Sequence, residues 1–253
     1  MAVSDKIIRA AARPDCLLAF FTCYQGMLLN PLISNTNMYP VPGSNTEGSW
    51  AYRNGLFQMT NITFSADGAN SVNPNNLANL NFPLDLQGNN RNKTFIVRAY
   101  CPKNQADSLK VHPLISQGQH TGIISGQVFH FSLWEYPTSA NLRGYANTGQ
   151  ASLVGGSSKF ENHEFNQFHT FAMTVSFNSN ATVKIQIFMN GSLRASFVGN
   201  GTSFATITTP STIIPNNLAV RLDTTVKYIA NNTVAWALVF DSALSESEIK
   251  ALS

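Results

Sequence analysis

Charged side chains are scarce in this sequence. Lysine, arginine, aspartate and glutamate together make up 11% of its 253 residues, less than half of the usual share of about 25%. The formal net charge at pH 7 is only +3, and the basic residues form no run with interleaved aromatic residues. A nucleic-acid surface needs such a concentration of positive charge. The composition therefore argues against a nucleic acid as a partner.

Cysteine is also rare, with three residues at Cys16, Cys23 and Cys101. An odd number does not make a disulfide framework. Cys16 and Cys23 fall within one apolar run, where an extended chain would hold them about 23 Å apart, so they would bridge only across a turn. We predict three buried thiols that behave as small apolar side chains, in a protein that folds in a reducing compartment.

Long apolar runs are missing as well. No stretch reaches the ~18 residues of a membrane-spanning helix, so we expect no membrane insertion. Basic residues precede the short apolar run 16–21, as they do in a signal peptide. The following residues Thr22–Gly26 are nevertheless a poor cleavage site. We expect the protein to be made without a signal peptide.

Asparagine is abundant instead, with 28 residues. Asparagine, glycine and proline favour turns, so the composition is typical of a protein with many strands and many turns. The chain is long enough for one large all-β domain or two smaller ones. Because no second core, linker or internal repeat is visible, we predict a single sandwich.

Several segments alternate apolar and polar residues with the period of a β-strand. The segment His169–Phe177 alternates without error and places Phe171, Met173, Val175 and Phe177 inside. Phe95–Cys101 carries large side chains on both faces, as a central strand does, and residues 70–93 read as a long loop. Strands are predicted at Leu17–Tyr24, Gly55–Phe64, Phe95–Cys101, Gln127–Tyr136, Asn141–Tyr145, His169–Phe177, Val183–Met189, Ser192–Phe197, Leu218–Leu222 and Val234–Phe240.

Two local signals fix the C-terminal half. Asn190-Gly191 separates two alternating segments and predicts a hairpin with a type I′ turn. After the last strand, Ser245 and Glu248 have the spacing of a capping box at the start of a short helix. Leu244 and Ile249 lie where a hydrophobic staple would join them.

Four blocks of the chain resemble, in order, the concanavalin A-like lectin/glucanase superfamily of the laminin-G and pentraxin type. The first block, Gly55–Val72, contains a Phe-x-x-Asp-Gly turn at 64–68, and the second, Thr94–Pro102, has Tyr100 where the family prefers tryptophan. The third spans 168–197, with Phe168 in place of a tryptophan, His169 kept and the Asn-Gly turn at 190–191. The fourth is the closing strand and helix, 234–252.

The resemblance implies an all-β fold, an antiparallel jelly-roll β-sandwich with a short C-terminal helix. It covers roughly residues 16–253, so we assign residues 15–253 to the sandwich domain and residues 1–14 to an N-terminal arm. Ser4 is suited to cap a short helix in the arm, with Ile7, Ile8 and Ala11 on its apolar side, and Pro14 ends it. We expect the arm to be dispensable for folding; it is either a frayed terminus or a segment that docks on a partner.

Catalytic motifs are absent from the sequence. Glucanases of this fold carry Glu-x-Asp-x-x-Glu, which does not occur here, and glycosidic hydrolysis needs two suitably spaced carboxylates. Glu161 and Glu164 are close in sequence, but we assign them to a solvated loop. No Gly-x-Ser-x-Gly elbow or zinc-type Cys/His spacing is present. We therefore predict that the protein is not an enzyme.

A sugar site needs an aromatic platform and planar polar groups. The period-two alternation of a strand predicts that His130, Trp134 and Tyr136 share one face. The opposite face, which points to the core, carries Phe129, Phe131 and Leu133. Arg98 and Tyr100 have the corresponding positions of another strand. These five residues are the predicted ligand-binding set, unless the loop 70–93 covers them; Trp236 is assigned to the core.

No cofactor is required by the sequence, but calcium is a candidate. Laminin-G and pentraxin domains often bind one at the rim of the sandwich through oxygen ligands. Asp67 and Asn70 have suitable chemistry for that role. An Asp-Gly turn without metal is the alternative.

Two functions fit these features of the sequence. The first is a non-enzymatic, lectin-like adhesion or surface-decoration protein that binds glycans on a host surface. The second is a structural or assembly protein that uses the sandwich as a rigid block. The uncharged surface, reduced thiols, basic arm and missing secretion signal favour a virion component, such as a phage fibre or capsid-decoration subunit. We expect a homo-oligomer on a virion or outside the cell, joined to assembly partners through residues 1–14.

Overall fold

The computed structural model of the chain describes most of its N-terminal segment and its C-terminal half, and shorter pieces between them. The described residues are 3–21, 39–41, 49–53, 56–60, 71–72, 79–82, 92–101, 103, 110–117, 129–135, 139–147, 153–178, 182–200, 216–218, 220–222, 227–229 and 233–253.

Strands dominate the described residues. Two short helices, α1 (Asp5–Ala11) and α2 (Glu246–Leu252), lie near the two ends of the chain. Between them the strands are β1 (Cys16–Phe21), β2 (Tyr39–Val41), β3 (Ser49–Arg53), β4 (Leu56–Thr60), β5 (Ser71–Val72), β6 (Asn79–Phe82), β7 (Lys93–Cys101), β8 (Lys110–Gln117), β9 (Phe129–Glu135), β10 (Ala140–Asn147), β11 (Leu153–Phe160), β12 (Gln167–Phe177), β13 (Thr182–Met189), β14 (Ser192–Asn200), β15 (Asn216–Leu218), β16 (Val220–Leu222), β17 (Lys227–Ile229) and β18 (Thr233–Phe240).

The strands form two large antiparallel sheets. The first sheet has the order β14-β13-β12-β7-β18-β4-β3, and β1 also pairs with β18. The second has the order β11-β10-β9-β8-β15-β6-β2, and a small third sheet contains β16, β17 and β5. Strands that neighbour one another in the first sheet, such as β7 and β18, are far apart in sequence. The predicted all-β antiparallel sandwich with a short C-terminal helix is confirmed.

The main core lies between the two large sheets. Phe171 of the first sheet meets Phe131 of the second edge to face, with ring centroids 6.4 Å apart. Met173 and Val175 are buried beside Phe171, and Phe177 packs at the margin of the same cluster. Leu133 is buried there as well. These positions confirm the inward faces predicted from alternation.

A second core covers the outer face of the first sheet. Ile96 of β7, Leu238 of β18 and Phe188 of β13 are buried in this cluster. The cover consists of α1 and α2, which contribute Ile7 and Ile249 among others. Because the first sheet is packed on both faces, β7 alternates between two apolar environments. This confirms its prediction as a central strand, and Trp236 is buried in the outer cluster as predicted.

The Asn190-Gly191 turn joins β13 to β14, as the sequence predicts. Both residues have positive φ angles, 50° and 78°, which a type I′ turn requires. A Cβ atom on Gly191 would lie 2.9 Å from the Cα of Lys250 in α2. The turn therefore needs glycine both for its backbone conformation and for its close approach to the C-terminal helix.

The C-terminal helix begins as predicted. The Ser245 hydroxyl accepts a hydrogen bond from the Glu248 N–H, and the Glu248 carboxylate accepts one from the Ser245 N–H, which makes the capping box reciprocal. Leu244 and Ile249 are both buried in the outer cluster. The short helix is thus held at its start by polar contacts and along its length by apolar burial.

The N-terminal segment packs on the sandwich. In α1, Ile7, Ala10 and Ala11 are buried in the outer cluster, whereas Ile8 is exposed. Beyond the helix, Arg13 forms ion pairs at 2.9 Å with Asp15 and with Glu248 of α2. The boundary between an arm and a domain at residue 15 stays a prediction. The burial of α1 argues that the segment stabilises the fold, contrary to the expected dispensability.

Some strands were not predicted from the sequence. The strand β8 contains Pro113, and β11 contains Gly155 and Gly156, residues that disfavour strand assignments. A Cβ atom on Gly156 would lie 2.5 Å from the ring of Phe197, so glycine lets that ring of β14 approach the backbone of β11. Within the predicted loop 70–93, the described pieces include β5, β6 and the first residue of β7.

Two of the three predicted buried thiols are described. Cys16 and Cys101 are both buried, and Cys23 lies outside the described residues. Burial raises the pKa of the Cys101 thiol to about 12, so it stays protonated at neutral pH. Among the described residues, none of the helices has the length and apolar character to cross a membrane.

Replacing Ile7 with alanine tests whether α1 stabilises the fold. We expect Ile7→Ala to lower the free energy of unfolding by about 2–5 kcal/mol, because its side chain is 2% exposed. Ile8→Ala is the matched control, since Ile8 in the same helix is 39% exposed; we expect a change within about 0.5 kcal/mol. Urea unfolding measures both. Equal, negligible effects would show that α1 does not contribute to stability.

The Arg13 ion pairs predict a loss of stability in acid. The hydrogen bond from Arg13 lowers the pKa of Asp15, and the Ser245 N–H, together with Arg13, lowers the pKa of Glu248. A carboxyl with a lower pKa in the folded state stabilises the fold above its ordinary pKa, here 3.8 and 4.5, and loses that contribution as the pH falls through the folded value.

We therefore expect the melting temperature to fall as the pH is lowered from 5 to 3, and Glu248→Gln to make that fall shallower. Glu246→Gln, at an exposed position of the same helix, is the control and should leave the pH dependence unchanged. If the melting temperatures of wild type and Glu248→Gln fell equally with pH, the stabilising role of the Glu248 carboxylate would be contradicted.

Candidate functional site

The five predicted ligand-binding residues are divided between the two sheets. Arg98 and Tyr100 lie on β7 of the first sheet, and the backbone places positions 130 and 134 on β9 of the second. In both strands the intervening residues, Val97 and Ala99 on β7 and Phe131 and Leu133 on β9, face the core between the sheets. The structure therefore does not bring Arg98 and Tyr100 together with His130 and Trp134 on one face. The side chains of His130 and Trp134, and all of Tyr136, lie outside the described residues.

Arg98 and Tyr100 instead meet two residues of the neighbouring strand β12. Tyr100 is in register with Phe168, and Arg98 is in register with Thr170. All four positions lie on the outer face of the first sheet, next to the part that α1 and α2 cover. We call these four residues, Arg98, Tyr100, Phe168 and Thr170, the arginine–aromatic patch.

The guanidinium of Arg98 is held in place by two contacts. One terminal nitrogen donates a hydrogen bond to the Thr170 hydroxyl at 3.0 Å. The guanidinium carbon lies 5.8 Å from the ring centroid of Phe168, in cation–π range. On the other side of β7, buried Trp236 is its register neighbour. Within the described part of the chain, Arg98 forms no ion pair.

The two aromatic residues of the patch form an edge-to-face pair. The rings of Tyr100 and Phe168 have centroids 5.4 Å apart and an interplanar angle of 61°. Both side chains are partly exposed, and Phe168 also packs against the helix-covered core. Phe168 is therefore supported from below, Tyr100 packs against its ring, and both rings are open to solvent in part, which is the arrangement of a preformed apolar platform.

A partly buried hydrogen-bond network supports β12 behind the patch. The Thr170 N–H donates to the Asn190 Oδ1 at 3.0 Å, and the Asn190 N–H donates to the Thr170 carbonyl at 2.8 Å. The Asn190 Nδ2 donates to the His169 Nδ1 at 2.9 Å. Because Nδ1 accepts there, the ring proton is on Nε2, which donates to the Glu164 carbonyl at 2.6 Å. The network connects the Asn-Gly turn to the patch strand.

Glu164 is a buried structural group, which corrects its assignment to a solvated loop. It ends a 3-10 turn, Asn162–Glu164, and its carboxylate accepts hydrogen bonds from Arg194 at 2.7 Å and from the Glu161 N–H at 2.7 Å. Burial opposes ionisation, but these hydrogen bonds outweigh it and hold the pKa of Glu164 below its ordinary value. Glu161 is more exposed and pairs with Lys159. Short-range sequence patterns gave no sign of the partner Arg194, thirty residues away.

The metal hypothesis falls outside what the structure describes. Asp67 and Asn70 lie outside the described residues. Among the residues that are described, no three His, Cys, Asp or Glu side chains come close enough to hold a metal ion.

Comparison with known proteins gives a relationship in fold alone. No profile of a known protein family matches the sequence, and no curated protein sequence matches it. The binding domain of botulinum neurotoxin DC, in complex with rat synaptotagmin II, has a TM-score of 0.57 at 10% identity, over 94% of this chain and 51% of that chain.

Two further solved structures extend the comparison. A structure of botulinum neurotoxin type C, whose cell entry depends on interaction with two ganglioside molecules, has a TM-score of 0.58 at 10% identity, over 96% of this chain and 52% of that one. Trypanosoma rangeli sialidase in complex with 2,3-difluoro-KDN has a TM-score of 0.54 at 11% identity, over 96% and 33%. The chain thus spans about half of the toxin domains and a third of the sialidase.

The Glu164 pair predicts a stability difference between two neighbouring glutamates. We expect Glu164→Gln to lower the free energy of unfolding by about 1.5–3 kcal/mol, because hydrogen bonds to charged groups contribute that much and Arg194 would lose its carboxylate. Glu161→Gln is the control and should change stability by less than about 0.5 kcal/mol. Urea unfolding at pH 7 measures both. Equal effects would contradict the structural role of Glu164.

Proposed function

We propose that the chain is a non-enzymatic glycan-binding module of the concanavalin A-like type, and that it binds its ligand at the arginine–aromatic patch. The observation that carries the proposal is the cluster of Arg98, Tyr100 and Phe168, which are partly exposed and fixed against one another on one sheet face. Aromatic rings bind the apolar face of a sugar, and planar polar groups bind its hydroxyls.

The scaffold beneath the patch favours binding. All three side chains stand on β-strands in the centre of a sheet that is packed on both faces, and strand sites are more precise than loop sites. The Thr170–Asn190–His169 network fixes the strand that carries Phe168. A site that needs no rearrangement loses less conformational entropy when a ligand binds.

The comparisons support the choice of a glycan as ligand. One structural neighbour enters cells through gangliosides, and another is in complex with a sugar-acid analogue. A shared fold at such low identity does not transfer a function, so the proposal rests on the patch. The choice of a non-enzyme is supported by Glu161 and Glu164, which are held by Lys159 and Arg194 rather than presented as a catalytic pair.

The rival proposal is a structural or assembly protein, in the setting of a virion surface, with residues 1–14 as the contact segment. The observation in its favour is that α1 exposes Ile8 and Arg9 beside the buried Ile7. Under this proposal the patch binds nothing, and Ile8→Ala together with Arg9→Ala would reduce incorporation into the larger assembly while leaving stability unchanged.

Removing the aromatic platform tests glycan binding. We expect Phe168→Ala and Tyr100→Ala each to weaken binding of the glycans that wild type recognises on an array by about tenfold or more, which corresponds to about 1.4 kcal/mol. Leu193→Ala is the control, because it removes a 41% exposed apolar side chain from β14 at the edge of the sheet. Circular dichroism and urea unfolding confirm that each variant is folded.

Trp134→Ala, measured in parallel, tests the other predicted surface. Loss of binding in Trp134→Ala with no change in the patch variants would move the site to β9 of the second sheet. Binding of no glycan at all by wild type would refute the lectin function and favour the structural proposal.

A further inference from the structure

We infer that the arginine–aromatic patch selects acidic sugars, with the carboxylate of the ligand bound by Arg98 and the sugar ring against Tyr100 and Phe168. This inference rests on the proposed function and adds the class of ligand. It starts from the charge of Arg98, which the described part of the protein leaves without a carboxylate partner.

Two other arginines among the described residues, Arg13 and Arg194, are neutralised by ion pairs. Arg13 lies between Asp15 and Glu248, and Arg194 binds Glu164 through two nitrogens, at 2.7 and 3.3 Å. The described contacts of Arg98, which is also partly buried, are with neutral residues: it donates a hydrogen bond to Thr170 and lies over the ring of Phe168, and its register neighbour on β18 is Trp236. A guanidinium in this setting attracts an anion more strongly than one in open water, because the local dielectric is lower.

The geometry leaves the guanidinium suitable for a carboxylate. Arginine has five N–H donors in a planar fork, and the structure uses one of its terminal nitrogens for the Thr170 hydroxyl. That contact and the nearby ring of Phe168 restrict the position of the group. The remaining donors include the edge that can bind a carboxylate with two parallel hydrogen bonds, which is the strongest arrangement of this pair.

The aromatic pair distinguishes an acidic sugar from a simple anion. The ring of Phe168 lies 5.8 Å from the charge centre of Arg98 and 5.4 Å from the ring of Tyr100. A pyranose that carries a carboxylate has its charge and an apolar ring face at neighbouring positions, so both parts of the patch are used at once. Within the described residues the Tyr100 hydroxyl makes no hydrogen bond, which leaves it for a sugar hydroxyl.

The experiment compares each acidic glycan with a neutral form of itself. Sialyllactose, its methyl ester and lactose are titrated against the full chain, together with a uronic acid disaccharide and a sulfated lactose. We expect sialyllactose or the uronic acid to bind, esterification to weaken binding by tenfold or more, and the affinity to fall as salt is raised.

The variants separate charge from the shape of the guanidinium. Arg98→Met should weaken binding of the acidic sugar by tenfold or more, and Arg98→Lys should be intermediate, because it keeps the charge but loses the planar fork. Arg9→Met changes the net charge equally at an exposed position of α1 and should leave binding unchanged. Urea unfolding verifies that the Arg98 variants fold.

The outcomes distinguish this inference from the proposed function. Equal binding of ester and acid, preference for the sulfated sugar, or unchanged binding by Arg98→Met would refute the choice of a carboxylate while the lectin function stands. Loss in Arg98→Met and Arg9→Met alike would refute a specific contact in favour of net charge. Binding of none of these sugars, nor of any array glycan, would refute both.

Discussion

The rest of this structure depends on covering both faces of the first sheet. Its central strands β7 and β18 carry apolar residues on both faces, so each face of the sheet must be removed from water. The second sheet covers one face, with Phe131 and Leu133 against Phe171. On the other face the cover consists of two seven-residue helices, which are too short to be stable in isolation. Sheet and helices therefore stabilise one another, and Arg13 joins α1 to α2 through Glu248.

The Asn-Gly turn contributes to this arrangement more than its hairpin alone suggests. The side chain of Asn190 hydrogen-bonds to the backbone of Thr170 and to His169, while Gly191 comes within van der Waals contact of α2. One turn thus contacts the patch strand and the covering helix. This gives a physical reason why the resemblance includes His169 and the Asn190-Gly191 turn. They are structural groups that fix the strand next to the site.

Much of the fold could be predicted from the sequence because its determinants are local. The alternation in 169–177, the Asn-Gly turn and the Ser245–Glu248 capping box each act within a few residues, and all were confirmed. Contacts between distant residues could not be predicted. Nothing near Glu164 indicates Arg194, and nothing near Ile7 indicates that it would be buried in the same cluster as Ile249 of α2. The same limit applies to the site. Alternation predicted that Arg98 and Trp134 point outward, but it could not show that their strands belong to different sheets. Phe168 and Thr170 were missed as partners because only the register of β7 with β12 brings them to Arg98.

Within the described residues, the cover on the first sheet ends before Arg98 and Tyr100, and this makes the patch informative. Ile96 of β7 and Leu238 of β18 are fully buried in the cluster that the helices cover. Arg98 and Tyr100, which lie further along β7, are partly exposed. A protein that needed only a rigid block would be expected to place small or polar side chains where its cover ends, because exposed aromatic groups promote association. This chain has two aromatic rings and a positive charge there, and a hydrogen-bond network beneath them. Exposing these groups has a cost in solubility, and the proposed glycan site gives that exposure a function.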